Sequence, residues 1–139
     1  VVDPKIEIYE SDDVTLWGGW TTDIPIDMGD ESSVLELHIW NDKGGTLGSV
    51  TATNVEVVAL DQNGGYADEM IQEKWVEIST SGPTGPFTPV GGTSRSTETA
   101  VQLPDIPSNA KQTIWVKINT PVGGSTRGNE DWQLRVRYQ

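Results

Sequence analysis

The chain contains no cysteine, one histidine, one phenylalanine and nine basic residues among 139. The missing thiols exclude disulfide frameworks, thiol nucleophiles, cysteine-type zinc sites and iron–sulfur clusters together. With His38 as the sole imidazole, no multi-histidine metal site can form, and enzyme readings narrow to carboxylate chemistry or to His38 itself. Nine Lys and Arg against twenty-one Asp and Glu give a formal charge of −12, the wrong sign for nucleic-acid phosphates and for anionic lipid surfaces. No apolar run approaches the roughly 18 to 20 residues that cross a bilayer, and no charged-then-apolar leader opens the chain. Val1 at the head is expected to reflect processing or a fragment. No phosphate-binding glycine signature and no Asn-x-Ser/Thr sequon occurs. The expectations are no nucleic acid, no membrane, no cofactor, no catalytic residue and no metal.

What is present points to a β protein. Six tryptophans and a 35% hydrophobic content supply a core, and the length suits one domain over 1–139. Apolar residues recur at period two: Ile6 and Ile8; Leu35, Leu37 and Ile39; Val55, Val57 and Ala59; Val76 and Ile78; Ile114, Val116 and Ile118; Trp132, Leu134, Val136 and Tyr138. That alternation is the signature of half-buried strands. Gly, Pro, Asn and Asp clusters at 17–20, 41–45, 61–65, 81–86, 91–92 and 123–124 punctuate them as turns. One short stretch, 67–74, suits a helical turn. The pattern predicts an all-β fold, an antiparallel immunoglobulin-like β-sandwich of about seven to nine strands. Residues 81–96, crowded with Gly and Pro, are expected as a long exposed loop pinned by Phe87.

Charge is lopsided. Residues 1–80 hold seventeen acids against three Lys, and 81–139 hold four acids against six bases. Residues 1–31 read as an acidic N-terminal arm with the first strands, carrying Glu10, Asp12, Asp13, Asp23, Asp27, Asp30 and Glu31. Exposed loop acids are the plain reading; calcium at Asp61, Asn63 and Asp68, or at Asp27, Asp30 and Glu31, is the alternative, although neither fits the twelve-residue calcium loop. His38 shares a strand phase with Glu36 and Trp40, opposite the aliphatic stripe. Three tryptophans, Trp40, Trp75 and Trp115, are assigned to that non-core phase. Rings placed there are covered by the 81–96 loop or by each other, or they face a protein partner or a sugar.

Several stretches together resemble small virion proteins of tailed bacteriophages. These are Ile6-Glu7-Ile8-Tyr9-Glu10 with Asp12-Asp13, Leu37-His38-Ile39-Trp40-Asn41-Asp42-Lys43-Gly44-Gly45, Asn54-Val55-Glu56-Val57, Lys74-Trp75-Val76, Val90-Gly91-Gly92, Ile106-Pro107-Ser108-Asn109 and Trp132-Gln133-Leu134-Arg135-Val136-Arg137-Tyr138. The resemblance implies an immunoglobulin-like sandwich on a capsid or tail surface, of the decoration or cement kind, and a non-enzymatic structural role. Its implied partners are the major capsid or tail protein and other copies of the chain, with the virion as location and an extracellular setting otherwise. Trp40, Trp75, Trp115 and His38 are the expected partner-binding residues. A carbohydrate-binding or adhesion module of a secreted protein is the alternative.

Overall fold

The computed structural model describes residues 2–19, 29–121 and 132–139; Trp20, Asp23, Asp27 and the Gly123-Gly124 turn lie outside them. Among the described residues the strands are β1 (Ile6–Glu10), β2 (Leu35–Asn41), β3 (Val55–Asp61), β4 (Val76–Ser79), β5 (Thr88–Val90), β6 (Val101–Leu103), β7 (Ala110–Ile118) and β8 (Trp132–Arg137), and one helical turn, α1 (Glu69–Gln72), falls between β3 and β4. They form two antiparallel sheets, ordered β1-β2-β7-β4-β5 and β6-β3-β8. The fold is the expected antiparallel β-sandwich. In immunoglobulin terms β1, β2, β7 and β4 follow the A-B-E-D order of one sheet, while β3 and β8 sit as C and F in the other.

The alternation places the core. Leu37 and Ile39 of β2, Val55 and Val57 of β3, and Ile114 and Val116 of β7 are wholly buried, and Ile6, Ile8, Leu35 and Val136 pack on this cluster from its margins. Each aliphatic side chain of this size contributes about 1.5 to 3 kcal/mol on burial, so the shared stripe fixes which face of each sheet turns inward. β3 goes further than alternation suggests. Val58 and Leu60, on its other phase, are also buried. The outer face of its sheet is clasped by Glu98, which takes two 2.8 Å hydrogen bonds from Arg137 Nη1 of β8 and one of 2.7 Å from the Tyr66 hydroxyl.

The 81–96 segment departs from the loop expectation. Thr88–Val90 is a strand, paired with β4 at the edge of the larger sheet, and Val90, Gly91 and Gly92 are buried. Pro89 is tolerated because an edge strand leaves one side of its backbone unpaired.

Candidate functional site

Residues directly opposite in antiparallel strands share a face. The register therefore gathers the polar phase of the larger sheet onto its outer surface: Glu7 opposite Trp40 and Tyr9 opposite His38 between β1 and β2, then Trp40 opposite Lys111, His38 opposite Thr113 and Glu36 opposite Trp115 between β2 and β7. β4 extends the face, with Ser79 opposite Trp115 and Glu77 opposite Lys117.

At the β1 end the face is held by a polar cluster. Asp13, from the segment after β1, accepts hydrogen bonds from Trp40 Nε1 at 2.8 Å and from Lys111 Nζ at 2.8 Å, and its Oδ1 lies 2.6 Å from His38 Nδ1. Glu36 Oε2 lies 2.7 Å from the other ring nitrogen of His38. Lys111, then His38, then Trp40 hold the Asp13 carboxyl well below the usual carboxylate range. The Lys43 and Lys111 ammonium groups flank the Trp40 ring at 5.8 and 5.4 Å from its centroid. At the β5 end Lys117 stands 4.5 Å over the Phe87 ring and 3.1 Å from Glu31 Oε1.

Between these two clusters lies Trp115. Its ring is half-buried between Glu36 and Ser79, and no side chain among the described residues gives its indole a hydrogen bond or a ring partner. It occupies the outward phase that the sequence assigns to it.

Two other expected contacts are corrected. Trp75 is 6% exposed and belongs to the core. It precedes β4, behind Lys74 at φ 57°, so the alternation of the strand does not extend back to it; its N–H donates to Met70 O at 2.9 Å and fastens it over α1. Its indole Nε1 is buried and has no hydrogen-bond partner among the described residues. His38 is also 6% exposed, because both ring nitrogens are engaged by carboxylates, which leaves no edge for a partner. Trp40 is half-buried and already satisfied by Asp13 and the two lysines. The residues that sequence reasoning left out of the site are Asp13, Lys111 and Phe87. The signal for Lys111 was present, since it shares the phase of Trp115 on β7.

The calcium alternative meets a carboxylate already in use. Asp61 closes its own turn, accepting from the amides of Asn63, Gly65 and Ala67 at 2.8 to 2.9 Å, and those amides hold it below the usual range. Among the described residues no group of three or more His, Asp or Glu side chains converges as a metal site. Asp27 lies outside them, and Glu31 is paired with Lys117.

The flank of the sandwich carries a cleft of about 400 Å³ between β1 and β8, lined by Glu7, Ile8, Leu16, Trp17, Gly18, Gly19, Trp132, Gln133 and Leu134. Trp17 meets Trp132 edge to face, ring centroids 6.1 Å apart.

No protein family and no curated protein matches the chain. Among solved structures it is similar to a family 123 glycoside hydrolase from Clostridium perfringens, a protein described in terms of glycolipid glycan hydrolysis, at 14% identity and a TM-score of 0.48. The alignment covers 99% of this chain and 25% of the hydrolase. The expectation of a non-enzymatic protein is corrected here: the aligned structure is an enzyme, so that class is open again. A superposition this loose transfers no activity, substrate or residue role.

Proposed function

We propose that the chain is a structural surface module of a virus particle that docks on a capsid or tail lattice through the outer face of its five-stranded sheet, with Trp115 at the centre of the contact. One observation carries this reading. Trp115 is a large ring held on the solvent side of a central strand with no intramolecular partner for its indole among the described residues, while the neighbouring Trp40 is fully engaged. An aromatic set in a polar frame is the usual anatomy of an interface hot spot. Glu36 and Lys117 beside it supply both signs of charge for register. The sequence resemblance supplies the partner class. A module that binds the assembled lattice alone stabilises that state by mass action, about 2.7 kcal/mol at a hundredfold excess over Kd.

The test is co-sedimentation of the purified chain with intact particles, with Trp115→Ala in parallel. The variant is expected to weaken attachment about thirtyfold, the scale of a hot-spot residue, while the melting temperature of the free chain moves by a few degrees at most, roughly. Binding unaltered by the substitution would defeat the docking face. Binding of wild type to a soluble oligosaccharide, lost in Trp115→Ala, would transfer the face to carbohydrate recognition.

A further inference from the structure

Segment 11–19 folds back along the free edge of β1, with Glu10 N–H donating to Thr15 O at 2.8 Å and Trp17 N–H to Ile8 O at 3.0 Å. Its outward side chains bury little: Val14 is 77% and Leu16 55% exposed. Two side chains reach the body of the protein. Asp13 joins the outer-face cluster of His38, Trp40 and Lys111, and Trp17 covers the flank against Trp132. The tip is stiff in itself, since Asp12 Oδ1 accepts from the amides of Val14 and Thr15 and its Oδ2 from the Thr15 hydroxyl. Beyond Trp17 come Gly18 and Gly19, where an added Cβ would meet no atom within 4 Å, and Gly19 has φ +119°. That stretch has room to turn.

We propose that residues 11–19 form a latched strap: Asp13 is the latch, Gly18 and Gly19 the hinge, and release of Asp13 swings Trp17 away from Trp132 and widens the flank cleft between β1 and β8. The argument is one of unequal attachment. The β2–β7 ladder is held by seven residue pairs and a buried apolar core, whereas among the described residues the strap is held by a hydrogen-bonded carboxylate, one ring and its backbone pairing with β1. Local opening begins where buried apolar contact is smallest. Because the Asp12 turn is self-contained, the strap moves as a unit instead of fraying. Opening frees the edge of β1 as well, which the strap otherwise guards against pairing with a foreign strand. The latch lies one strand pairing away from Trp115, and its release is measured without any lattice, so this proposal stands or falls apart from the docking reading.

Residue-resolved amide exchange at neutral pH on the intact chain tests it. Asp13→Asn keeps the side-chain shape and the tolerance of Asn for φ 60° while removing the charge that binds Lys111. Exchange at Glu10 and Trp17 is expected to quicken about tenfold or more, with Leu37 and Ile114 at the centre of the sheet unchanged. Lys111→Met, which leaves Asp13 in place, is expected to give the same pattern at smaller size, and it carries the test if the first variant folds poorly. Unchanged exchange at Glu10 and Trp17 in both variants overturns the latch. So does acceleration by the same factor at Leu37 and Ile114, which would make Asp13 a global support.

Discussion

Asn41 shows how much a single polar side chain does at one end of the sandwich. It lies on the inward phase of β2, in line with Leu37 and Ile39, and is wholly buried. Every hydrogen-bonding site of its amide is used. The oxygen accepts from Lys5 N–H and the Ser49 hydroxyl, both at 2.9 Å, and the nitrogen donates to Val50 O at 2.9 Å and Ile106 O at 2.8 Å. One residue thus ties the N-terminal segment, the 47–50 turn and the approach to β7. Asn41→Asp keeps the shape but turns two donors into acceptors facing carbonyl oxygens. Leaving two buried carbonyls unpaired costs about 1 to 3 kcal/mol each, so the variant is expected to lose at least about 2 kcal/mol in urea denaturation. A loss below about 0.5 kcal/mol would mean that water satisfies those carbonyls. In the sequence Asn41 belongs to a turn cluster, and the turn is there. Its role in the core was not legible, because the four partners come from three segments up to 65 residues away. The same limit applied to Asp13, whose partner Lys111 is 98 residues distant.

At the scale of elements, the strands with clean alternation were legible, and the ones that escaped did so for stated physical reasons. β5 holds one proline in three residues and sits among glycines, a composition that a central strand excludes and an edge accepts. Trp75 was assigned the wrong face because Lys74 takes a left-handed backbone conformation, which resets the phase just before β4. The link between β5 and α1 depends on Gly91. At φ +122° a Cβ there would lie 2.5 Å from Ile71 O, while the next residue, Gly92, donates its N–H to that same oxygen at 2.9 Å. Side chains are strained at such angles, and a backbone oxygen cannot swing aside. Gly91→Ala is therefore expected to destabilise the chain by about 2 kcal/mol or more, read as a lowered urea midpoint, and to disturb β5 and α1 together. If the midpoint holds, the corner must shift more freely than its contacts imply. The outward phase of Trp115, by contrast, could be read directly, since β7 is long and regular over nine residues.

For the whole molecule, the charge of −12 sets two acid responses against each other. Among the described residues four carboxylates titrate below the ordinary range in the folded chain. Asp13 does so through Lys111, His38 and Trp40, Asp12 through the Thr15 and Val14 amides, and Asp61 through the amides of Ala67 and Gly65; for Asp42, burial pushes upward but Ser108 and the amides of its turn outweigh it. In the unfolded chain each returns to about 3.9. Their folded values being lower, the unfolded state binds more protons as pH falls through about 4, so their contribution is complete above that range and lost below it. Relief of repulsion among the remaining acids works the other way, favouring the compact state as they are neutralised. Distance decides between them. The repulsion acts between separated surface acids and is screened beyond about 8 to 10 Å at 0.1 to 0.15 M salt, whereas the hydrogen bonds to these four carboxylates act at contact. In about 0.2 M salt, where screening is stronger still, the urea midpoint is accordingly expected to stay level from pH 7 to about 5 and to fall as pH drops below about 4. In low salt part of that fall should be offset. Asp13→Asn, which cannot take up the proton, should show a shallower decline than wild type under the same conditions. A midpoint that rises between about pH 4 and 3 at the higher salt would show that general repulsion, not the four captured carboxylates, governs how this fold meets acid.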